Sequence, residues 1–289
     1  MAAVPLIGMR TGVNAADRRV VRRAALLVGL GNYTHPTTRH SIGQCVLAPV
    51  LRCAERHDAT VREEVARRVA RLPPGAALHE LPARVPTDAF RSVRAARGWL
   101  ARVSVLLDAA PPRGAAIRQQ PDFSLDAYPY VMLDLVVYIP KLLMNINGGG
   151  VAAAAAQYPE LHVPNDILLV HDELSREFGK VSFKSGGSAS GHNGVRSVQS
   201  VLRCHGEARG EPDVARVRLG IGRPPDGNVS SWVLGEMPSA WLAACGVGET
   251  ADPRSAALPQ RVWESVQQWC LAKVCLLYTS DAADEGLGV

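Results

Sequence analysis

Ala24-Ala25-Leu26-Leu27-Val28 runs into Gly29-Leu30-Gly31-Asn32 without a charged interruption, and this junction decides the fold. A continuous apolar run suits a strand covered on both faces, since a half-wet strand would alternate. Two glycines and an asparagine then end it in a tight turn. Outward from this strand the pattern recurs. Tyr130 to Ile139, Asp166 to His171 and Val214 to Ile221 read as further buried strands, while Lys180-Val181-Ser182-Phe183-Lys184 alternates like a strand with one face in water. Val151 to Gln157 is alanine-rich, and Gly194 to Cys204 sets Val195, Val198, Val201 and Leu202 on one helix face. Strands alternating with helices predict an α/β protein, a three-layer α/β/α sandwich around a mixed, largely parallel sheet.

The 289 residues are 47% hydrophobic and 20% charged, which excludes a mainly disordered chain. The cleanest apolar runs, 24–30 and 135–139, fall far short of the ~20 residues a membrane helix needs, so no membrane role is expected. Net charge is +5, and of 32 basic residues only Lys141, Lys180, Lys184 and Lys273 are lysines, leaving 28 arginines. Arginine grips phosphate in a planar fork, so a polyanionic partner fits; an arginine excess set by the base composition of the coding DNA fits equally. Cysteines 45, 53, 204, 245, 270 and 275 form no C-x-x-C pair, which argues against structural zinc or a disulfide framework.

The domain reading places a leader at 1–23, the main α/β domain at 24–245 with an unusual insert around 54–120, a helical extension at 246–270 and a tail at 271–289. The leader carries Arg10, Arg18, Arg19, Arg22 and Arg23 against one acid, Asp17, as an organelle-targeting segment or an ordinary leader would. The insert is rich in Ala, Arg and Pro, with Pro73-Pro74 and Pro111-Pro112; two amphipathic arginine-rich helices would account for it, with Arg67, Arg68 and Arg71 on a solvated face. The tail changes character abruptly and resembles translated adapter sequence, so it is excluded from the fold.

Four polar clusters follow strands, where open α/β sheets place ligands: Gly29-Leu30-Gly31-Asn32; Thr38-Arg39-His40-Ser41; Leu143-Met144-Asn145 with Asn147-Gly148; and His171-Asp172-Glu173-Leu174 with Gly191-His192-Asn193-Gly194. His40 can take a proton from water and Asp172 can hold its ring in the useful tautomer. Asn32, Asn145 and Asn193 offer uncharged donors and acceptors suited to a peptide backbone or a water. Rival motifs fail: a dinucleotide fingerprint would need its third glycine at Thr34, and Gly187-Ser188-Ala189-Ser190-Gly191 puts alanine at the nucleophile position of a serine elbow. Metal binding by His171, Asp172 and His192 lacks a supporting spacing.

In order along the chain these blocks resemble the bacterial-type peptidyl-tRNA hydrolase family, whose pattern reads G-L-G-N, T-R-H, M-N, H-D-E-L, a lysine, G-G-S, G-H-N-G and R-x-R-x-G-I-G-R-P. The matching residues are Gly29 to Asn32, Thr38 to His40, Met144-Asn145, His171 to Leu174, Lys184, Gly186 to Ser188, Gly191 to Gly194 and Arg216 to Pro224. The short loop from Asn32 to His40 looks like the animal, mitochondrion-associated branch. The resemblance implies cleavage of the ester joining peptide to tRNA, without metal or cofactor, by a monomer in the mitochondrion or, second, the cytoplasm. By position it implies His40 as general base, Asp172 orienting it, and Asn32 holding water or the scissile carbonyl. Asn145, Asn193, Met144 and His192 would bind substrate, and Lys184, Arg196, Arg216 and Arg218 would contact tRNA. The alternatives are an inactive RNA-binding relative and a metal-dependent hydrolase. Tyr33-Thr34 stands where the family has Pro-Gly, Ser175 where it often has a second aspartate, and His40 to Met144 is longer by roughly 40 residues than in compact members, beyond normal loop lengths.

Overall fold

The computed structural model describes residues 20–70, 81–109, 130–205, 214–248 and 257–284. Most of the leader, Arg71, both Pro-Pro pairs and the last five residues lie outside them. Seven strands form one sheet in the order β2-β3-β4-β1-β5-β7-β6. The central strands β4 (Tyr130–Pro140), β1 (Val20–Gly29), β5 (Ile167–Glu173) and β7 (Ala215–Gly220) run parallel, while β3 (Gly98–Asp108), β2 (Arg91–Val93) and β6 (Val181–Lys184) attach antiparallel at the two sides.

The opening motif is apolar throughout because β1 is covered on both faces. Ala25 and Leu27 face one core with the inner side of helix α2 (Leu47–Val69), including Val50 and Ala54, and with Val262, Trp263 and Val266 of α7 (Ala257–Asp284). Leu26 and Val28 face the other core with Val151 and Ala154 of α3 (Asn147–Ala155) and Val195, Val198 and Leu202 of α4 (Asn193–His205). Helices on both sides of a mixed sheet make the three-layer sandwich that the alternating pattern predicts. Packing at the functional end is close: a Cβ on Gly29 would meet the Gly43 carbonyl of the short helix α1 (Ile42–Cys45) at 2.4 Å, and one on Gly148 would meet the Ser197 carbonyl at 2.2 Å. Two further short helices, α5 (Val229–Leu234) and α6 (Ser239–Ala244), follow β7.

The middle of the chain departs from the two-helix expectation. One long helix, α2, is followed by two strands, because Leu100, Val103, Val105 and Leu107 are buried in a run paired along its whole length with β4. Asp58, buried on α2, accepts the Leu106 amide at 2.8 Å and Arg62 at 2.9 Å, so a carboxylate occupies a stretch of strand edge that would otherwise invite pairing. Arg67 is exposed and pairs with Glu63, as a solvated face should. The tail excluded on composition begins inside α7: Leu271 packs on the core, Lys273 reaches Asp166 at 3.5 Å, and the helix continues to Asp284.

Candidate active site

Because β4, β1 and β5 are adjacent and parallel, their carboxyl ends deliver Met144, Asn32 and Asp172 to one edge of the sheet. The amino end of α4 arrives there with His192 and Asn193. His40 enters on a 3-10 turn, Arg39–Ser41, that its neighbours fix. Ser41 accepts the Asn32 amide at 3.0 Å and donates to the His35 carbonyl at 2.8 Å; Thr38 donates to the same carbonyl at 2.9 Å. The Arg39 guanidinium lies 4.0 Å above the Trp232 ring and donates to the Trp232 carbonyl, while its backbone amide donates to Gly235.

Asp172 is the hub. Its Oδ1 lies 2.8 Å from His40 Nδ1 and 2.8 Å from His192 Nε2. His192 Nδ1 accepts the Val195 amide at 3.2 Å in the first turn of α4, so that nitrogen carries no proton and Nε2 is the donor. A carboxylate oxygen can only accept, so His40 donates through Nδ1 as well, and its Nε2 is left with a lone pair, the state a general base requires. Burial by itself would raise the Asp172 carboxyl, but its interactions with His192 and His40 outweigh it and hold the group well below the usual carboxylate range. The charge is therefore retained in a buried place because two N–H groups meet it.

His171 is spent differently. Its Nδ1 contacts the Asp172 backbone carbonyl at 2.6 Å, its ring meets His192 edge-on at 4.5 Å, and burial, with His192 adding to it, pushes its imidazole well below the ordinary histidine range. The rival metal set of His171, Asp172 and His192 does not converge among the described residues. The donor set that does converge is His40, Asp172 and His192, with one ligand atom each within 4.8 Å of the others, and two of those nitrogens face the carboxylate.

Asn32 is buried, and its Oδ1 accepts the Met144 amide at 2.6 Å. The carbonyl end is thus occupied, and Nδ2, which has no partner among the described residues, is a donor suited to a carbonyl oxygen. Asn145 is exposed and without a hydrogen-bond partner among the described residues; Asn193 is exposed, with its Oδ1 taking Arg196 at 3.3 Å. Two residues expected to touch substrate, Met144 and His192, also make contacts within the site. The Met144 side chain is buried against Gly194, and His192 has both ring nitrogens engaged.

Of the four cations, Lys184 is half-buried at the end of β6 and Arg196 is exposed. Arg218 pairs with Glu173 at 3.4 Å. Arg216 overturns its expectation: it is only 2% exposed and donates to the carbonyls of Gly186, Gly187 and Ser188 at 2.7, 2.7 and 3.0 Å, pinning the glycine loop from inside. The Arg-x-Arg alternation correctly put both arginines on one face but could not reveal that a loop folds over it. Asn147 went unassigned in the sequence. Fully buried, it donates to the carbonyls of Leu143 at 2.6 Å and Gly31 at 3.2 Å, tying the Asn32 loop to the Met144 loop. Its signal was the second asparagine of Asn145-Ile146-Asn147-Gly148, a polar residue at the start of an otherwise apolar helix.

Comparison with known proteins adds a lineage to this geometry. Residues 117–268 match the sequence profile of the peptidyl-tRNA hydrolase family. A probable peptidyl-tRNA hydrolase of Mus musculus is 32% identical over 222 residues, covering 76% of this chain and 77% of the mouse protein. The peptidyl-tRNA hydrolase of Nitratidesulfovibrio vulgaris is 43% identical over 99 residues, a match that spans 45% of that protein and 34% of this chain. Among solved structures, peptidyl-tRNA hydrolase from Acinetobacter baumannii aligns over 90% of this chain and 91% of its own at 22% identity, with a TM-score of 0.46.

Proposed function

The chain belongs to the peptidyl-tRNA hydrolase family, and from that premise we propose that it hydrolyses the ester between a peptide, or an N-acylated amino acid, and tRNA. The observation that carries this reading is the shared Asp172 oxygen, which leaves His40 Nε2 with a lone pair, in a site where Asn32 is fixed through its Oδ1 by the Met144 amide. Water bound between them gives its proton to His40 Nε2 as its oxygen attacks the ester carbonyl carbon, and the carbonyl electrons move onto oxygen, where Asn32 Nδ2 donates. Collapse re-forms the carbonyl and breaks the bond to the ribose oxygen. The His40 imidazolium, stabilised by Asp172, returns its proton to that oxygen, giving free tRNA and an N-acyl amino acid. No metal is required for any of these steps.

Asn145 and Asn193, both exposed, suit the amides of the peptide because they offer donors and acceptors without charge. Of the four cations singled out in the motifs, Lys184 and Arg196 suit contact with phosphate. The basic Met1–Arg23 segment supports a mitochondrial destination, testable by the location of a fluorescent fusion. No helix among the described residues is long and apolar enough to cross a membrane. The test of the function is release of acyl-amino acid from N-acetylated aminoacyl-tRNA, with the unblocked aminoacyl-tRNA released far more slowly. Equal release from both, or binding without release, contradicts the reading; the latter outcome is that of an RNA-binding relative.

A further inference from the structure

The segment that stands out as an insert in the sequence carries a surface that the catalytic account leaves unused. Arg91-Ser92-Val93-Arg94-Ala95-Ala96-Arg97-Gly98-Trp99 holds three arginines and no acid. It folds into the β2–β3 hairpin, in which Arg91, Arg94 and Arg97 are all exposed and none has a carboxylate partner among the described residues. Arg97 sits at φ +51°, a turn conformation that favours glycine, so a guanidinium is displayed where a smaller residue would be easier to hold. The hairpin is joined directly to the active site. Lys141, just past the end of β4, donates its backbone amide to the Arg97 carbonyl at 2.8 Å and its ammonium to the Ser92 hydroxyl at 3.0 Å, and lies 4.1 Å over the Trp99 ring. Trp99 in turn lies 5.5 Å from the ring of Tyr33, which is 46% exposed and follows Asn32 in the chain.

Three exposed arginines and Lys141, none with a carboxylate partner among the described residues, on a hairpin whose Trp99 ring neighbours Tyr33, make the composition of a single-strand nucleic-acid platform, in which bases stack and phosphates meet guanidinium and ammonium groups. We infer that the β2–β3 hairpin, with Lys141 and the Tyr33–Trp99 pair, receives the single-stranded 3′ end of the tRNA, bringing its terminal ester to Asn32 and His40. The inference rests on the peptidyl-tRNA reading for the identity of the strand. Its position favours the 3′ end over the duplex part of the tRNA, because Tyr33 is covalently next to the residue that would hold the scissile carbonyl.

The test uses the full chain and deacylated tRNA, so that it does not depend on turnover. Replacing Arg91, Arg94 and Arg97 together by Ala should weaken binding about tenfold or more and flatten the dependence of log K on log salt by about 2, at roughly 0.7 for each single-strand phosphate left without its cation. The triple Lys variant should recover the salt slope, which a merely misfolded hairpin would not do. With tRNA lacking its last three nucleotides, the difference between parent and Ala variant should vanish. The inference is overturned by an unchanged slope in the Ala variant, by a difference that persists on the truncated tRNA, or by an effect seen only as the peptide lengthens, which would make the hairpin a peptide surface. If the slope changes as expected while acyl-tRNA stays intact, the hairpin assignment stands and the hydrolytic reading falls.

Discussion

Replacing Asp172 by Asn separates charge from geometry at the centre of the site. His192 is locked by the Val195 amide into donating through Nε2, so it demands an oxygen at the Oδ1 position. The asparagine must therefore keep its amide oxygen there, and His40 keeps its tautomer. What disappears is the negative charge facing the imidazolium. The 2.8 Å contact places the carboxylate roughly 4 Å from the ring centre, where unit charges at an effective dielectric constant near 20 attract by about 4 kcal/mol. A transition state with half of the proton's charge transferred would lose about 2 kcal/mol, and one with full transfer the whole amount, which gives a fall in kcat of about 30-fold to 10³-fold. Single-turnover release of acyl-amino acid from N-acetylated aminoacyl-tRNA measures it, with thermal unfolding as the control for fold. A rate within threefold of the parent would refute the reasoning. The same pair carries a pH signature. The folded Asp172 carboxyl lies below its unfolded value near 4, so its contribution to stability is present above pH 4 and is lost as pH falls toward the folded value. The parent's stability relative to Asp172→Asn should decline over that acid range and not above it.

Asn147→Ala removes a buried amide and strands the carbonyls of Leu143 and Gly31; urea unfolding should show a loss of about 3 kcal/mol, at 1–3 kcal/mol for each stranded group, and kcat should fall because the Asn32 loop is released. His171 is held neutral in the fold, whereas in the unfolded chain it protonates below about pH 6.5, so the unfolded state binds more protons and stability falls with falling pH by up to about 1.4 kcal/mol per unit. Unfolding free energies between pH 5 and 6.5 should be steeper for the parent than for His171→Leu, and equal slopes would contradict the assignment. Arg216→Met should lower the unfolding temperature and leave the salt slope of tRNA binding unchanged; a flattened slope would restore it as a phosphate contact. EDTA should leave turnover unchanged while added Zn²⁺ inhibits by claiming His40 and Asp172, and loss of activity with chelator would favour a metal site.

The parts of the fold readable in sequence were those whose pattern matches their environment. Ala24 to Val28 is apolar throughout because both faces are covered, and α4 shows its buried stripe because the other face is wet. Strand β3 is not legible in the sequence because Arg102, between Ala101 and Val103, sits in an arginine-rich context that reads as helix, while the Ser104 pairing with Asp134 and the registration against β4 are tertiary facts. In the site, the ordered blocks made His40 and Asp172 legible. The division of labour around them was not. His192 and Asn193 are neighbours in one motif, yet one ring is locked on Asp172 and Val195 while the other amide faces solvent. Arg216 and Arg218 share a strand face, yet only the loop at Gly186 to Ser188 decides which of them is buried.

The claim that everything else serves is that the unbonded nitrogen of His40 takes the proton of the attacking water. Its most direct measurement is the single-turnover rate of ester cleavage on N-acetylated aminoacyl-tRNA by His40→Ala against the parent, at saturating protein. A positioned base contributes ~10²- to 10⁴-fold, so the account predicts a fall of that size with tRNA binding retained, and cleavage by the alanine variant at the parent rate would contradict it.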